Sequence, residues 1–185
     1  MAWQDFVREP ELRALLSGTA GCSPYLKGLM GQEGAWLRAA RADDYLGVQN
    51  YERTIWGPEG RLPPPADAER GHMGAEVYPA SLAGVVRYAH EVSQVPILVT
   101  EHGVGAEDDS LRARFIPAAL GHLQQAIADG VPVFGYCHWS LLDNFEWIFG
   151  YGPKFGLASV DRTTFERTPK PSSVVYEAIA RSNAL

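Results

Sequence analysis

Apolar residues in this chain gather in short compact runs, separated by longer stretches with helical spacing. Tyr45–Tyr51 (YLGVQNY), Val95–Thr100 (VPILVT) and Val133–Trp139 (VFGYCHW) have strand length and lack strict polar alternation, as strands covered on both faces do. Between the second and third, Leu111, Phe115, Ala119, Leu123 and Ile127 recur every four residues and predict a helix buried along that stripe. Asp108 and Asp109 are its candidate N-caps, Gly130 its stop, and Pro132 bars its return. Pro117 predicts a kink or restart inside it. Ahead of the second strand, Ser81 can cap a helix with Leu82, Val85, Val86 and Ala89 inward. After the third, Phe155–Asp161 (FGLASVD) reads as extended or hairpin-like, and a last helix led by Ser172 or Ser173 turns Val175 and Ile179 inward. The stretch Trp56–Ala66 (WGPEGRLPPPA) reads as a rigid proline-rich connector. Residues 1–41 read as a helical lead-in, over Pro10–Leu16 and Tyr25–Arg41, broken by Gly18, Gly21 and Gly34.

Strands alternating with helices imply parallel βα units. No repeat or internal boundary interrupts the pattern, so residues 1–185 are expected to form a single domain. The 46% hydrophobic and 21% charged residues place the chain in the globular range rather than the disordered one. Its net charge of −6 comes with no lysine–arginine cluster, which argues against a nucleic-acid footprint. No apolar run reaches membrane-spanning length, and polar Gln4 and Asp5 follow Met1 where a signal peptide would be apolar. A soluble, cytoplasmic protein without membrane association is expected. Cys22 and Cys137 supply neither a disulfide framework nor a metal-ligand set.

In parallel α/β proteins reactive groups gather at the carboxyl ends of the strands. The first strand here ends at Asn50–Tyr51, and the second at Thr100–Glu101–His102–Gly103. The third runs through Trp139 toward Asp143–Asn144–Phe145–Glu146–Trp147. A carboxylate at the mouth of a hydrophobic strand, as Glu101 is, is either half of a structural ion pair or a group placed for chemistry. Glu146 between Phe145 and Trp147 has the composition of a sugar-holding site, in which rings stack on C–H faces and carboxylates accept from hydroxyls; the competing reading is that these aromatics are core. Asp108–Asp109 reads as a helix cap in preference to a metal site. His138 reads as a core histidine, and His72, His90 and His122 sit at non-convergent places.

At these residues the chain resembles the family 1 glycoside hydrolases, the β-glucosidase family. Val99-Thr100-Glu101-His102-Gly103 is similar to the family pattern ITENG, and Trp139-Ser140-Leu141-Leu142-Asp143-Asn144-Phe145-Glu146-Trp147 is a further, very specific match. The likeness continues through Gly150-Tyr151, Phe155-Gly156-Leu157, Val160-Asp161 and Arg167-Thr168-Pro169-Lys170. Upstream, Asp44–Tyr51 resembles DFLGINYY and Met73–Pro79 resembles MGWEIYP, so coverage is nearly continuous from about Ala42. The resemblance implies an α/β fold: a partial (β/α)8 TIM barrel comprising about its sixth to eighth βα units, with the N-terminal helices added. It implies hydrolysis of β-glycosides by retaining double displacement, with Glu101 as nucleophile and Tyr51 as the tyrosine that orients it. Trp139 matches the platform under the sugar, Glu146 and Trp147 the pair that holds its outer hydroxyls, and Phe155 a further wall. A retaining mechanism needs an ionised carboxylate beneath the anomeric carbon, and a phenol donating to it favours that form and fixes its aim. An acidic residue at Glu146 repels a phosphate on the sugar's 6 position, so an unphosphorylated β-glycoside or oligosaccharide is the implied substrate. No cofactor and no metal are implied.

Several features depart from the family pattern. The second carboxylate of a retaining site stands about 5–5.5 Å from the first; in the family it lies in a T-x-N-E-P motif, which this chain lacks. Arg8-Glu9-Pro10 offers Glu9, but Phe6, Val7, Leu12, Leu15 and Leu16 around it read as the start of a helix with proline in its first turn. A whole barrel takes about 250 residues and at least about 200, so 185 residues with three clear strands are expected to leave sheet edges open. A fragment, a split enzyme completed by an N-terminal half-barrel chain, and a self-associating homo-oligomer all fit that expectation. The non-enzyme alternative is an inactive fragment or sugar-binding half-barrel. His102 replaces the asparagine that usually follows the nucleophile, and Ala75 a tryptophan that often walls the aglycone side.

Overall fold

The structure, a computed structural model, describes residues 43–185. The lead-in, with Glu9 and Cys22, lies outside the described residues. In chain order the elements are β1 (Leu46–Asn50), β2 (Ile55–Gly57), β3 (Gly60–Leu62), α1 (Ser81–Ser93), β4 (Ile97–His102), α2 (Asp109–Ala128), β5 (Val133–His138), a 3-10 turn (Trp147–Phe149), β6 (Ala158–Val160), β7 (Arg167–Pro169) and α3 (Pro171–Ser182). The three apolar runs form one parallel sheet in the order β1–β4–β5, with β4 central. No helix of the described residues is long and apolar enough to cross a membrane.

One face of that sheet is closed by helices. Ile97 and Val99 of β4 pack with Val48 of β1, Leu82 and Val86 of α1, and Ala119 and Leu123 of α2. Each of the buried Val, Leu and Ile side chains contributes about 1.5–3 kcal/mol relative to exposure. A second cluster, Val104, Ala106, Leu111 and Phe115, continues the core past the end of β4.

The helix starts differ from expectation in instructive ways. Ala80, not Ser81, occupies the N-cap of α1, and the Ser81 hydroxyl donates to Asn50 Oδ1 at 2.8 Å. The serine thus ties the helix to the end of β1 instead of capping it. Asp108 caps α2 by accepting from the Ser110 N–H at 2.9 Å, while Asp109 turns inward. Asp109 pairs with buried Arg112 and accepts from the Ser172 N–H (2.7 Å) and hydroxyl (2.8 Å). It therefore serves the first turn of α3, whose own N-cap is Lys170 and whose first residue is Pro171, rather than either serine.

Other elements refine the pattern. The helix α2 runs unbroken through Pro117, with Ile116 and Ala119 buried on either side of it. Its inward stripe ends on Ala126 and not on the exposed Ile127, because a four-residue repeat drifts against 3.6 residues per turn. Val175 and Ile179 of α3 are only half-buried. The connector expected over Trp56–Ala66 begins as an antiparallel hairpin, β2–β3, whose turn is Pro58–Glu59, and only its later half is proline-rich coil. The segment from Phe155 enters the hairpin β6–β7, and Asp161 Oδ1 accepts from the Thr163 and Thr164 N–H groups in its turn.

Candidate active site

The decisive local feature is an irregularity in β4. Against β1, Val99 pairs with Val48 but Glu101 pairs with Gln49, so Thr100 has no counterpart. Against β5, Val99 pairs with Tyr136 and His102 with His138, again leaving one extra residue on β4. Side chains alternate faces along a strand, so strict alternation would put Glu101 on the helix-facing side with Ile97 and Val99. The extra residue reverses the alternation. Glu101 therefore turns to the open side of the sheet, and His102 turns back into the core.

On the open side lies a cavity of about 660 Å³. All six residues singled out from the sequence line it: Tyr51, Glu101, Trp139, Glu146, Trp147 and Phe155. Tyr51, just past β1, donates its hydroxyl to Glu101 Oε2 at 2.5 Å. Phe155 stands edge-on to the Tyr51 ring, 5.9 Å between centroids, and is itself buried. Burial first, and then the Glu101 carboxylate, push the Tyr51 phenol well above the usual tyrosine range. The phenol stays protonated and remains a donor at any working pH.

The far wall comes from the loop after β5, which begins with a cis Trp139–Ser140 peptide. Trp139 Nε1 donates to Glu146 Oε1 at 3.1 Å, and Asn144 Nδ2 donates to the same oxygen at 2.7 Å. Among the described residues Glu146 Oε2 has no such partner, which leaves it facing the cavity for a ligand. The loop is anchored by Asp143, which is buried, pairs with Lys170 at 2.7 Å and accepts from the Gly156 N–H at 2.9 Å. The Trp147 side chain is 84% exposed.

Other lining residues carry no site role from the sequence, Asn144, Gln49 and His72 among them. Asn144 stood inside the quoted motif but was given no role, and Gln49 stood in the first strand. His72, placed among the non-convergent histidines, lines the cavity beside Ala75; its backbone N–H donates to the Gly105 carbonyl at 2.7 Å. His90 instead bonds the Val95 carbonyl at the end of α1, and His122 is exposed on α2. His138 is partly buried against Tyr176, with its Nε2 enclosed. Cys137 is a free, exposed thiol.

The other carboxylates at the cavity are already paired. Glu76 is buried and holds Arg53 through two hydrogen bonds of 2.6 and 2.8 Å, and that guanidinium lies over the Tyr78 ring. Glu52 stands 3.8 Å from Arg61. Among the described residues, Glu101 is thus the lining carboxylate held by a neutral donor alone at the mouth of a strand.

The family model described as Glycosyl hydrolase family 1 matches residues 43–185, and the chain belongs to that family. It is similar to a chloroplastic galactolipid galactosyltransferase of Arabidopsis thaliana, 38% identical over 75% of this chain and 23% of that protein. A β-galactosidase of Sulfolobus acidocaldarius is 31% identical over 86% of this chain and 36% of its own length. Among solved structures, a β-glycosidase superposes with a TM-score of 0.79 and 41% identity, over 95% of this chain and 39% of that one. The chain spans between 23% and 39% of the length of these relatives. Its described fold is a partial (β/α)8 barrel, three parallel strands with their helices.

Proposed function

We propose that this chain carries the nucleophile side of a retaining β-glycosidase site for unphosphorylated β-glycosides. The observation that carries the reading is the Tyr51–Glu101 hydrogen bond, which aims one carboxylate into a cavity walled by Trp139 and Glu146. In this reading Glu101 attacks the anomeric carbon to give a glycosyl-enzyme, and water later displaces it. Trp139 is the platform under the ring, Glu146 and Trp147 hold the outer hydroxyls, and Phe155 closes the wall behind Tyr51. The charge of Glu146 disfavours a 6-phosphate. The names of relatives, β-galactosidase, galactolipid galactosyltransferase and β-glucosidase, support a sugar of the gluco or galacto series.

The general acid/base has no counterpart among the carboxylates described, since Glu76, Glu52 and Glu146 already have partners. It comes from barrel units beyond those described, whether on the same polypeptide, a complementary chain or a second copy. The same pairing favours a second reading, a sugar-binding half-barrel without turnover.

An activated aryl β-glucoside separates the two, because its leaving group needs little protonation. Aryl release by the chain that disappears in Glu101→Ala is the expected result. A folded chain that binds the sugar and releases no aryl group, in the wild type or the variant, would establish the binding reading instead.

A further inference from the structure

Behind the pocket, on the helix side of the sheet, lies a chain of polar groups with no part in the reaction just described. His102 Nδ1 stands 2.8 Å from the Tyr136 hydroxyl, and the same hydroxyl stands 3.3 Å from His138 Nδ1. His102 is wholly buried, stacked on Phe115 of α2 at 4.9 Å between centroids and 13° between planes. Tyr176 of α3 packs against both Tyr136 and His138. The position of the three residues is informative: His102 follows Glu101 directly, and His138 directly precedes Trp139.

This is also where the ladder between the strands fails. The extra residue of β4 deprives Thr100 and Glu101 of regular pairing with β5, and pairing resumes only at His102–His138. There the Trp139 N–H donates to the His102 carbonyl at 2.9 Å, and the two strand ends part. A strand end released by a bulge keeps its direction only if something other than the ladder holds it.

We propose that Tyr136 is a positioning residue, the pin of a His102–Tyr136–His138 chain that clamps the ends of β4 and β5 together and so sets the aim of Glu101 and Trp139. One hydroxyl has one proton to give. It donates to one Nδ1 and accepts from the other, so the two rings hold opposite tautomers. One carries hydrogen on Nδ1, the other on Nε2. Burial keeps both neutral, and among the described residues neither buried Nε2 atom has a partner. The aim of Glu101 matters through the proposed glycosidase reaction, and in that respect the inference rests on that reading.

The test uses the full chain with 15N-labelled histidine and 13C-labelled glutamate carboxyls, at neutral pH. Two buried neutral histidines of opposite tautomer are expected, as is a shift of the Glu101 carboxyl resonance in Tyr136→Phe. That variant keeps the ring that packs on His102 and removes only the hydroxyl. Where the wild type releases aryl groups from an activated glucoside, Tyr136→Phe should lower kcat about ten- to a hundredfold with little change in KM. His102→Asn, which keeps a polar atom at the Nδ1 position, should retain kcat better than His102→Leu. Identical tautomers in the two rings would overturn the proposal, and so would a Glu101 resonance indifferent to Tyr136→Phe. A wild-type chain silent toward the glucoside counts against the glycosidase reading alone, because both resonances are read without substrate.

Discussion

Glu101 and His102 are neighbours in the chain and live in opposite surroundings. Glu101 faces a cavity with one hydrogen bond to a tyrosine, beside an aromatic wall much of which is bare. His102 is sealed between Phe115 and Tyr136, in a layer that also holds the buried Arg112. The front of the strand ends is built largely from loop residues around one strand-end carboxylate. The back is built from interlocked side chains of both strands and helices. Substitutions on the front should therefore change ligand chemistry at little cost in stability, and substitutions on the back should do the reverse.

Arg112 offers the strongest way to break that contrast. Its guanidinium is fully buried, pairs with Asp109, and donates to the carbonyls of Val104, Ala106 and Lys154. It thereby ties the loop after β4 to α2 and to the segment leading into Phe155. Replacing one partner of a buried pair leaves the other charge uncompensated, at a cost of about 3–5 kcal/mol. Arg112→Met should lower the denaturant midpoint by a corresponding amount with the slope unchanged. Asp109 would lose its guanidinium partner and keep only its contacts with the Ser172 N–H and hydroxyl. A loss below about 1 kcal/mol would show that the back of the site is not held by this pair.

The fold is legible in the sequence where a signal is local and illegible where a distant neighbour overrides it. The three sheet strands are legible because each is a compact apolar run, and α2 is legible because its stripe recurs at helical spacing. Ser81 and Ser172 have the residue type of a cap, but Asn50 and Asp109 claim their hydroxyls across 31 and 63 residues. The hairpin β2–β3 hid in a run dominated by its prolines. At the site, the six lining residues are legible through the motifs that contain them. The bulge is not, since nothing in Val99-Thr100-Glu101-His102 marks an extra residue that only both partner strands reveal. The partnership of His102 with Tyr136 spans 34 residues and leaves no local trace.

Acid should weaken the back of the site. Burial pushes His102 down to about 4 and His138 to about 3 from an ordinary value of 6.5. For His138, the nearby His102 and Arg112 add to that effect. Because the folded values are depressed, the unfolded chain binds protons first as pH falls. The stability these neutral rings contribute is complete above about pH 6.5 and is lost on descent toward their folded values. By pH 4 the loss from His102 alone is about 3 kcal/mol. Unfolding followed between pH 7 and pH 4 should show that decline, and His102→Asn should flatten it. A stability profile equally steep in that variant would place the acid sensitivity elsewhere.

Trp147 sharpens the contrast from the other side, with the smallest expected change in stability. Its side chain is 84% exposed, and Ile148 beside it is 92% exposed, so neither contributes to the core of the described residues. The loop that carries them is held lower down, by Asp143 with Lys170 and by Trp139 and Asn144 on Glu146. Removing the indole leaves those anchors intact. Trp147→Ala should therefore shift the unfolding free energy by no more than about 0.5 kcal/mol. In the proposed reading, sugar binding is where the variant should fail, because an indole N–H donating to a sugar hydroxyl contributes about 1 kcal/mol, or roughly fivefold in affinity. Titrating glucose-series and galactose-series glycosides into wild type and variant measures this directly. An unchanged affinity with a lowered melting point would mean that Trp147 is a structural group after all, and that front and back of the site are not divided as argued.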